Sequence, residues 1–375
     1  MNRIDGHICT PSGFLSGSIE WFPDTGRIAN IAGTPADSAA VRESSLPIVL
    51  PGFIDSHVHG GGGHDIMEGG DAAAHVATLH AKHGTTSLLA TTMTAPMSDL
   101  FTAFAGLASF CAVRPPNGSR ILGVHLEGPY INPGKLGAQP DFARPMDTDE
   151  LAQLNALAPI RLITLAPEIP GNLECIAGLV AAGYKIQIGH TAGTYDDGRE
   201  ALARGADGFT HLFNAMTGLH HRQPGMVGAA LAHAHFAEVI PDLVHVHPGA
   251  IHAALRCIPK LFCVTDSTAA AGMPDGEYRL GRHTVTKCMG GVRLADGTLA
   301  GSTLTMDQAL RNLVIEMGLD LADAARRVST FAATYLGIHD RGRLVPGAFA
   351  DLVVLDRELQ LVDVVAEGFL LAAKS

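Results

Sequence analysis

Charge is in short supply, and what there is runs negative. Charged residues make up 17% of the 375, and the formal balance at neutral pH is −11. That balance argues against broad nucleic-acid binding, because such a surface repels a phosphate backbone. It leaves room for a small anionic ligand, which a few local cations can hold. No apolar run approaches the roughly 18 residues of a membrane-spanning helix, so no membrane partner is expected. The opening residues MNRIDGHICTPSG lack the apolar stretch of a secretory signal. There is no C-x-x-C pair either: Cys9, Cys111, Cys175, Cys257, Cys263 and Cys288 are scattered. Thiols placed this way read as reduced core residues and point to a cytoplasmic protein. Asn117-Gly118-Ser119 matches a glycosylation sequon, but without a secretory route it carries no weight.

Several catalytic signatures are also missing. No H-E-x-x-H, G-x-S-x-G or G-x-G-x-x-G falls in a suitable strand-turn-helix setting. GPYINPGKL resembles a phosphate loop, yet five residues separate its glycines and Leu136 replaces the required hydroxyl residue.

What is present is a core and a rhythm. Hydrophobic residues are 47% of the chain, enough for a sizeable interior. Residues 1 to about 50 read as short strands, Gly17 to Trp21 and Arg27 to Ile31, around a Pro-Asp-Thr-Gly turn. From Pro47 onward, eight apolar runs follow: IVLPGFID, TSLLATTM, RILGVHLEG, IRLITLAPE, KIQIGHT, GFTHLFNAM, DLVHVH and KLFCVTD. Helical patterns such as DAAAHVATLHAKHG, DLFTAFAGLASFC, LECIAGLVAAG and YDDGREALARG lie between them. This alternation demands a parallel sheet. Eight repeats suggest an α/β fold closed into a (β/α)8 TIM barrel, with a doubly wound open sheet as the rival. After the eighth run, GRHTVTKCMGGVRLADGTLAG carries an Asp296-Gly297 hairpin turn. Helical patterns then run from Met306 to Met317 and from Leu321 to Thr330, before a strand-rich tail. Strands at both termini suggest that the two ends build one small β-domain together.

In a barrel, chemistry gathers where strands end. The first run ends Asp55-Ser56-His57-Val58-His59, with His57 and His59 on one face at period two. Glu127 ends the third run, His190 the fifth and Asp266 the eighth, while His211 lies in the sixth. Imidazoles and carboxylates converging in this way make a divalent-metal constellation. Glycines 60 to 63 would leave its floor open to substrate. His64, His75, His80, His83, His220, His221, His233, His235, His252 and His283 fall in loops or helical patterns and read as surface or packing residues. His125 shares a face with Glu127, as a supporting group or a core residue, and His247 reads equally as ligand neighbour or surface.

With these pieces in place, the chain resembles the amidohydrolase superfamily and, more narrowly, the N-acetylglucosamine-6-phosphate deacetylase family. The resemblance rests on PGFIDSHVHG, HLEGPYI, GHT, THLFNAM, Arg222-Gln223-Pro224-Gly225, HVH, VTDS, LAGSTLTM and ADLVVLD, in that order. It implies a (β/α)8 barrel over residues 51–341 with a small β-sandwich from residues 1–50 and 342–375. It implies that Glu127, His190 and His211 hold a principal divalent ion, zinc or ferrous iron, and that His57 and His59 can hold a second. Asp266 matches the catalytic aspartate. Asn214, Ala215, Arg222 and His245 match groups that contact the sugar phosphate, the arginine reaching in from a neighbouring subunit of a homodimer. Gln139 stands where the family often has a histidine that meets the acetyl carbonyl; a glutamine can donate there but cannot become cationic. His247 stands where an aspartate is common. Members that bridge two metals with a carboxylated lysine on the fourth strand are a poorer match, since IRLITLAPE has none. The expected substrate is a phosphorylated N-acetylhexosamine. Rival readings are the galactosamine isomer, an N-acyl amino acid, and a metal-free scaffold.

Overall fold

The computed structural model describes residues 1–371. Six expected runs form one parallel sheet, in the spatial order Gly208–Phe209, Lys185–Ile188, Ile160–Leu165, Arg120–Glu127, Thr85–Thr92, Phe53–Val58. Thr85–Thr92 is buried at every position. A parallel strand covered on both faces needs this continuous burial, which is why TTSLLATT shows no regular alternation of apolar and polar residues. Phe236–Val239 and Lys260–Cys263 form a separate parallel pair. Backbone hydrogen bonds lead from that pair to both edges of the larger sheet. The Leu212 N–H donates to the Glu238 carbonyl at 2.8 Å, and the Asp266 N–H donates to the His57 carbonyl at 2.9 Å. A helix follows each of the first seven strands: Ala72–Ala81, Met97–Ala112, Thr148–Leu157, Asn172–Ala181, Tyr195–Ala203, Gly225–His233 and Pro248–Cys257. Their starts are written in the sequence. Asp147 caps Asp149 and Glu150, and Thr194 with Asp197 closes a reciprocal box.

The seventh run corrects the sequence reading. It was expected at Asp242 to His247, but the strand is Phe236–Val239, and 242–247 is the loop leading into Pro248–Cys257. Glu238 hides the strand, because a carboxylate interrupts a short apolar run. Its burial is tolerated through hydrogen bonds from Ser56 at 2.8 Å and Gln187 at 3.2 Å.

Both ends of the chain do build together, as one hydrogen-bonded sheet of seven strands. Its order is Phe369–Leu370, Leu361–Ala366, Leu352–Leu355, Ile48–Pro51, Asn2–Thr10, Gly13–Trp21, Ile28–Ala36. Hydrogen bonding runs through every strand of this sheet. Alternation along each strand marks its buried face but not its partner, so the pairing was not readable. Ile8, Ile19, Trp21, Val49 and Leu352 cluster in its core. A further, antiparallel sheet, Gly276–Leu280, His283–Cys288 and Gly291–Arg293, precedes the expected Asp296-Gly297 turn, where Gly297 has φ 90°. Among the described residues no helix is long and apolar enough to cross a membrane.

Candidate metal centre

Strand ends deliver the site. Glu127 closes Arg120–Glu127, and His57 lies within Phe53–Val58 with His59 just past it. His190, His211 and Asp266 each follow a strand end by a few residues, at φ 47°, 29° and 50°. Left-handed backbone at non-glycine residues turns these side chains out of strand register and toward one point.

The two oxygens of Glu127 face different groups. Oε1 lies 3.1 Å from His190 Nε2, 3.1 Å from His211 Nε2 and 3.5 Å from His57 Nε2. Oε2 lies 3.1 Å from His59 Nε2 and accepts from Gln139 Nε2 at 2.6 Å. Asp266 Oδ1 is 3.3 Å from both His57 Nε2 and His59 Nε2. Glu127 and all four histidines are buried.

The tautomers show what this arrangement is for. His190 Nδ1 faces the Lys135 carbonyl at 2.8 Å, and His59 Nδ1 faces the Thr91 carbonyl at 3.2 Å. His57 Nδ1 faces Glu238 Oε2 at 3.1 Å. Each of these acceptors needs a proton on Nδ1, which leaves the neutral ring an electron pair on Nε2. Those pairs point at Glu127 and Asp266, and His211, whose Nδ1 is buried without a partner among the described residues, brings its Nε2 to 3.0 Å from His190 Nε2. A cation between these donors would relieve the crowding, and nitrogen with oxygen donors suits a divalent metal. The surroundings favour positive charge in general. Burial opposes a charged His59, yet Asp266 and Glu127 hold it up to about 9. Burial likewise opposes a charged Asp266, yet His57 and His59 hold its carboxyl down to about 2.

A cavity of about 310 Å³ opens over these groups, lined among others by His59, Glu127, Gln139, His190, His211, Asn214, Ala215, His245 and Asp266. His245 Nδ1 is paired with Asp242 Oδ2 at 2.6 Å; burial opposes its charge, but Asp242 raises it above the ordinary imidazole value. Arg222 is exposed, beside His221 at 2.8 Å, and lies outside the cavity lining. His247 is exposed and caps Pro248–Cys257 through Nδ1. His125 is a supporting group: it bridges the Ser56 carbonyl at 3.1 Å and Thr164 Oγ1 at 2.7 Å, with its ring against His57. Contrary to expectation, the glycine run does not line the cavity. A Cβ on Gly60 would meet Ala269 N at 2.5 Å, and one on Gly61 would meet Leu79 at 2.6 Å. The glycines allow close backbone packing behind His59.

Sequence reasoning missed Glu238, which holds the Nδ1 proton of His57, and Asp242. The only signal for Glu238 was a lone acid inside FAEVI. It also missed the Leu280 and Thr298–Leu299 wall of the cavity, supplied by the antiparallel insert.

Residues 48–371 match the profile of the amidohydrolase family. The N-acetylgalactosamine-6-phosphate deacetylase of Escherichia coli O157:H7 is 40% identical over 351 residues, 91% of this chain and 93% of the relative. The N-acetylglucosamine-6-phosphate deacetylase of Lysinibacillus sphaericus is 38% identical over 356 residues, 93% of this chain and 92% of the relative. An N-acetyl-D-glucosamine-6-phosphate deacetylase mutant from Mycobacterium smegmatis, solved in complex with N-acetyl-D-glucosamine-6-phosphate, superposes with TM-score 0.89. It is 34% identical and covers 99% of this chain and 98% of that one.

Proposed function

The chain belongs to the amidohydrolase family, and we propose that it hydrolyses the N-acetyl group of N-acetylglucosamine 6-phosphate, yielding glucosamine 6-phosphate and acetate in amino-sugar catabolism. The observation that carries this reading is Glu127 set among four imidazoles, with Asp266 beside it, under a cavity that His245 also lines. The relatives of 38–40% identity, named as deacetylases of hexosamine 6-phosphates, support it. We read the parallel strands and their helices as a (β/α)8 barrel over residues 51–341, with a second domain from residues 1–50 and 342–375. The protein is proposed to work in the cytoplasm.

Glu127, His190 and His211 would hold a principal divalent ion, zinc or ferrous iron, with a place for a second at His57 and His59. When bound, such an ion supplies a Lewis acid that acidifies water and polarises the acetyl carbonyl. Asp266, whose Oδ1 lies 3.3 Å from His57 and His59 Nε2, takes the proton from the attacking water and returns it to the sugar nitrogen. His245, charged through Asp242, binds the phosphate together with Asn214 and Ala215. Binding energy remote from the broken bond then orients the amide. Arg222 stands outside its own cavity, so its contact with phosphate would come across the interface of a homodimer. Gln139 lines the cavity and would meet the acetyl oxygen through its second amide hydrogen, the first being engaged by Glu127.

Acetate release tests the reading, with the gluco and galacto 6-phosphates and their unphosphorylated forms compared at equal concentration. The gluco phosphate should turn over fastest. Preference for the galacto isomer would favour the alternative that the Escherichia coli relative suggests. Equal turnover of unphosphorylated sugars would contradict the phosphate role of His245.

A further inference from the structure

Gln139 is buried between two partners that leave its amide one orientation. The Thr94 N–H is a donor only and lies 2.6 Å from Oε1, so that atom must be the oxygen. Nε2 then points at Glu127 Oε2 from 2.6 Å, and that carboxylate can only accept. The bond falls on one side of the carboxylate. Oε1 faces His190 and His211 at 3.1 Å, with His57 farther off at 3.5 Å, while Oε2, the oxygen near His59, is shared with the amide.

We infer that Gln139 is a positioning residue that makes the two cation positions unequal, turning Glu127 Oε1 toward His190 and His211 and drawing electron density from Oε2 on the His57 and His59 side. This rests on the metal-dependent reading above and is separate from any contact that the second amide hydrogen makes with substrate. A hydrogen bond to a ligand carboxylate fixes its rotation and lowers the basicity of the oxygen that accepts it; outer partners of this kind typically change metal affinity by about 10–100-fold. Removing the amide should therefore weaken the first position, where orientation is lost, and strengthen the second, where a lone pair is returned.

The test is zinc retention. Zinc-loaded protein is dialysed against graded chelator, and zinc per chain is measured. The unaltered chain should release zinc in two separate steps. In Gln139→Met, of similar volume and without a donor, the ratio of the two dissociation constants should shrink by at least about tenfold. Gln139→Asn keeps the amide but is one methylene too short to reach Oε2, and should do the same. Folding of each variant is confirmed by its unfolding transition, so that either one suffices. A single merged step in the unaltered chain, or an unchanged ratio in a folded variant, overturns the inference and leaves the hydrolase reading standing. A chain that retains no zinc and no ferrous iron overturns both.

Discussion

His190, His211 and Asp266 reach the site from left-handed backbone, a conformation that costs non-glycine residues of order 1–3 kcal/mol each. That cost is tolerated where side-chain direction matters more than strand regularity. Asp266 and His211 should fail differently when changed. Asp266→Asn keeps the shape and loses the base, so kcat should fall by roughly 10²–10⁴ while metal content and KM stay near their original values. Metal analysis and steady-state rates check this together. His211→Ala removes a donor from the Glu127 Oε1 group, and atomic spectroscopy should find the principal ion lost after dialysis. His245 makes a pH prediction. Burial opposes its charge but Asp242 raises its pKa above the ordinary imidazole value, so the cation persists to higher pH than on a free imidazole and is lost as pH climbs through the raised value. KM for the phosphorylated sugar should rise on the alkaline side. In Asp242→Asn, without the supporting carboxylate, the same rise should begin at lower pH; KM profiles that coincide would remove His245 from phosphate binding.

At the level of elements, the strand Phe236–Val239 shows how sequence legibility fails. Runs such as TTSLLATT declare themselves because burial on both faces leaves them almost wholly apolar or small. FAEV does not, because Glu238 occupies an inward position where apolar residues usually stand. It is there to hold His57 Nδ1, a requirement set by a residue far away in the chain. The residues proposed as principal ligands were legible because each sits at the end of a recognisable run. Glu238, Asp242 and the Lys135 carbonyl were not, because their roles depend on what they touch. The same limit applies to the glycine run, whose close packing against Ala269 and Leu79 depends on the tertiary fold. A prediction belongs to this strand: Glu238→Gln, which keeps an acceptor but removes the charge, should lower affinity at the His57 and His59 position by about 10–100-fold. It should spare the position at His190 and His211, as read by the two steps of zinc release.

Across the whole molecule, Glu367 ties the tail of the terminal sheet to the parallel sheet. It accepts from Arg114 at 3.1 Å, from Arg120 at 2.8 Å and from Arg341, and Arg341 also reaches Asp351 at 2.6 Å. Burial opposes the Glu367 charge, but Arg120 and Arg341 hold its carboxyl down to about 2, from an ordinary 4.5. The stability this contributes is fully present above pH 4.5 and is lost as pH falls through about 2. Glu367→Gln leaves Arg114 and Arg120 facing a neutral group, while Arg341 keeps Asp351, and should cost about 1.5–3 kcal/mol at neutral pH. Thermal unfolding should show the gap between the two proteins closing between pH 4.5 and 2. The tail and the parallel sheet were both visible in the sequence, whereas this clamp, joining positions up to 253 residues apart, was not.

The central claim is that electron pairs from distant parts of the chain meet on one ion, and diffraction from crystals of the metal-loaded protein at the metal absorption edge tests it most directly. The account predicts an anomalous peak about 2.0–2.2 Å from Glu127 Oε1, His190 Nε2 and His211 Nε2 together. A peak elsewhere, or none in crystals whose dissolved protein contains stoichiometric metal, would contradict it.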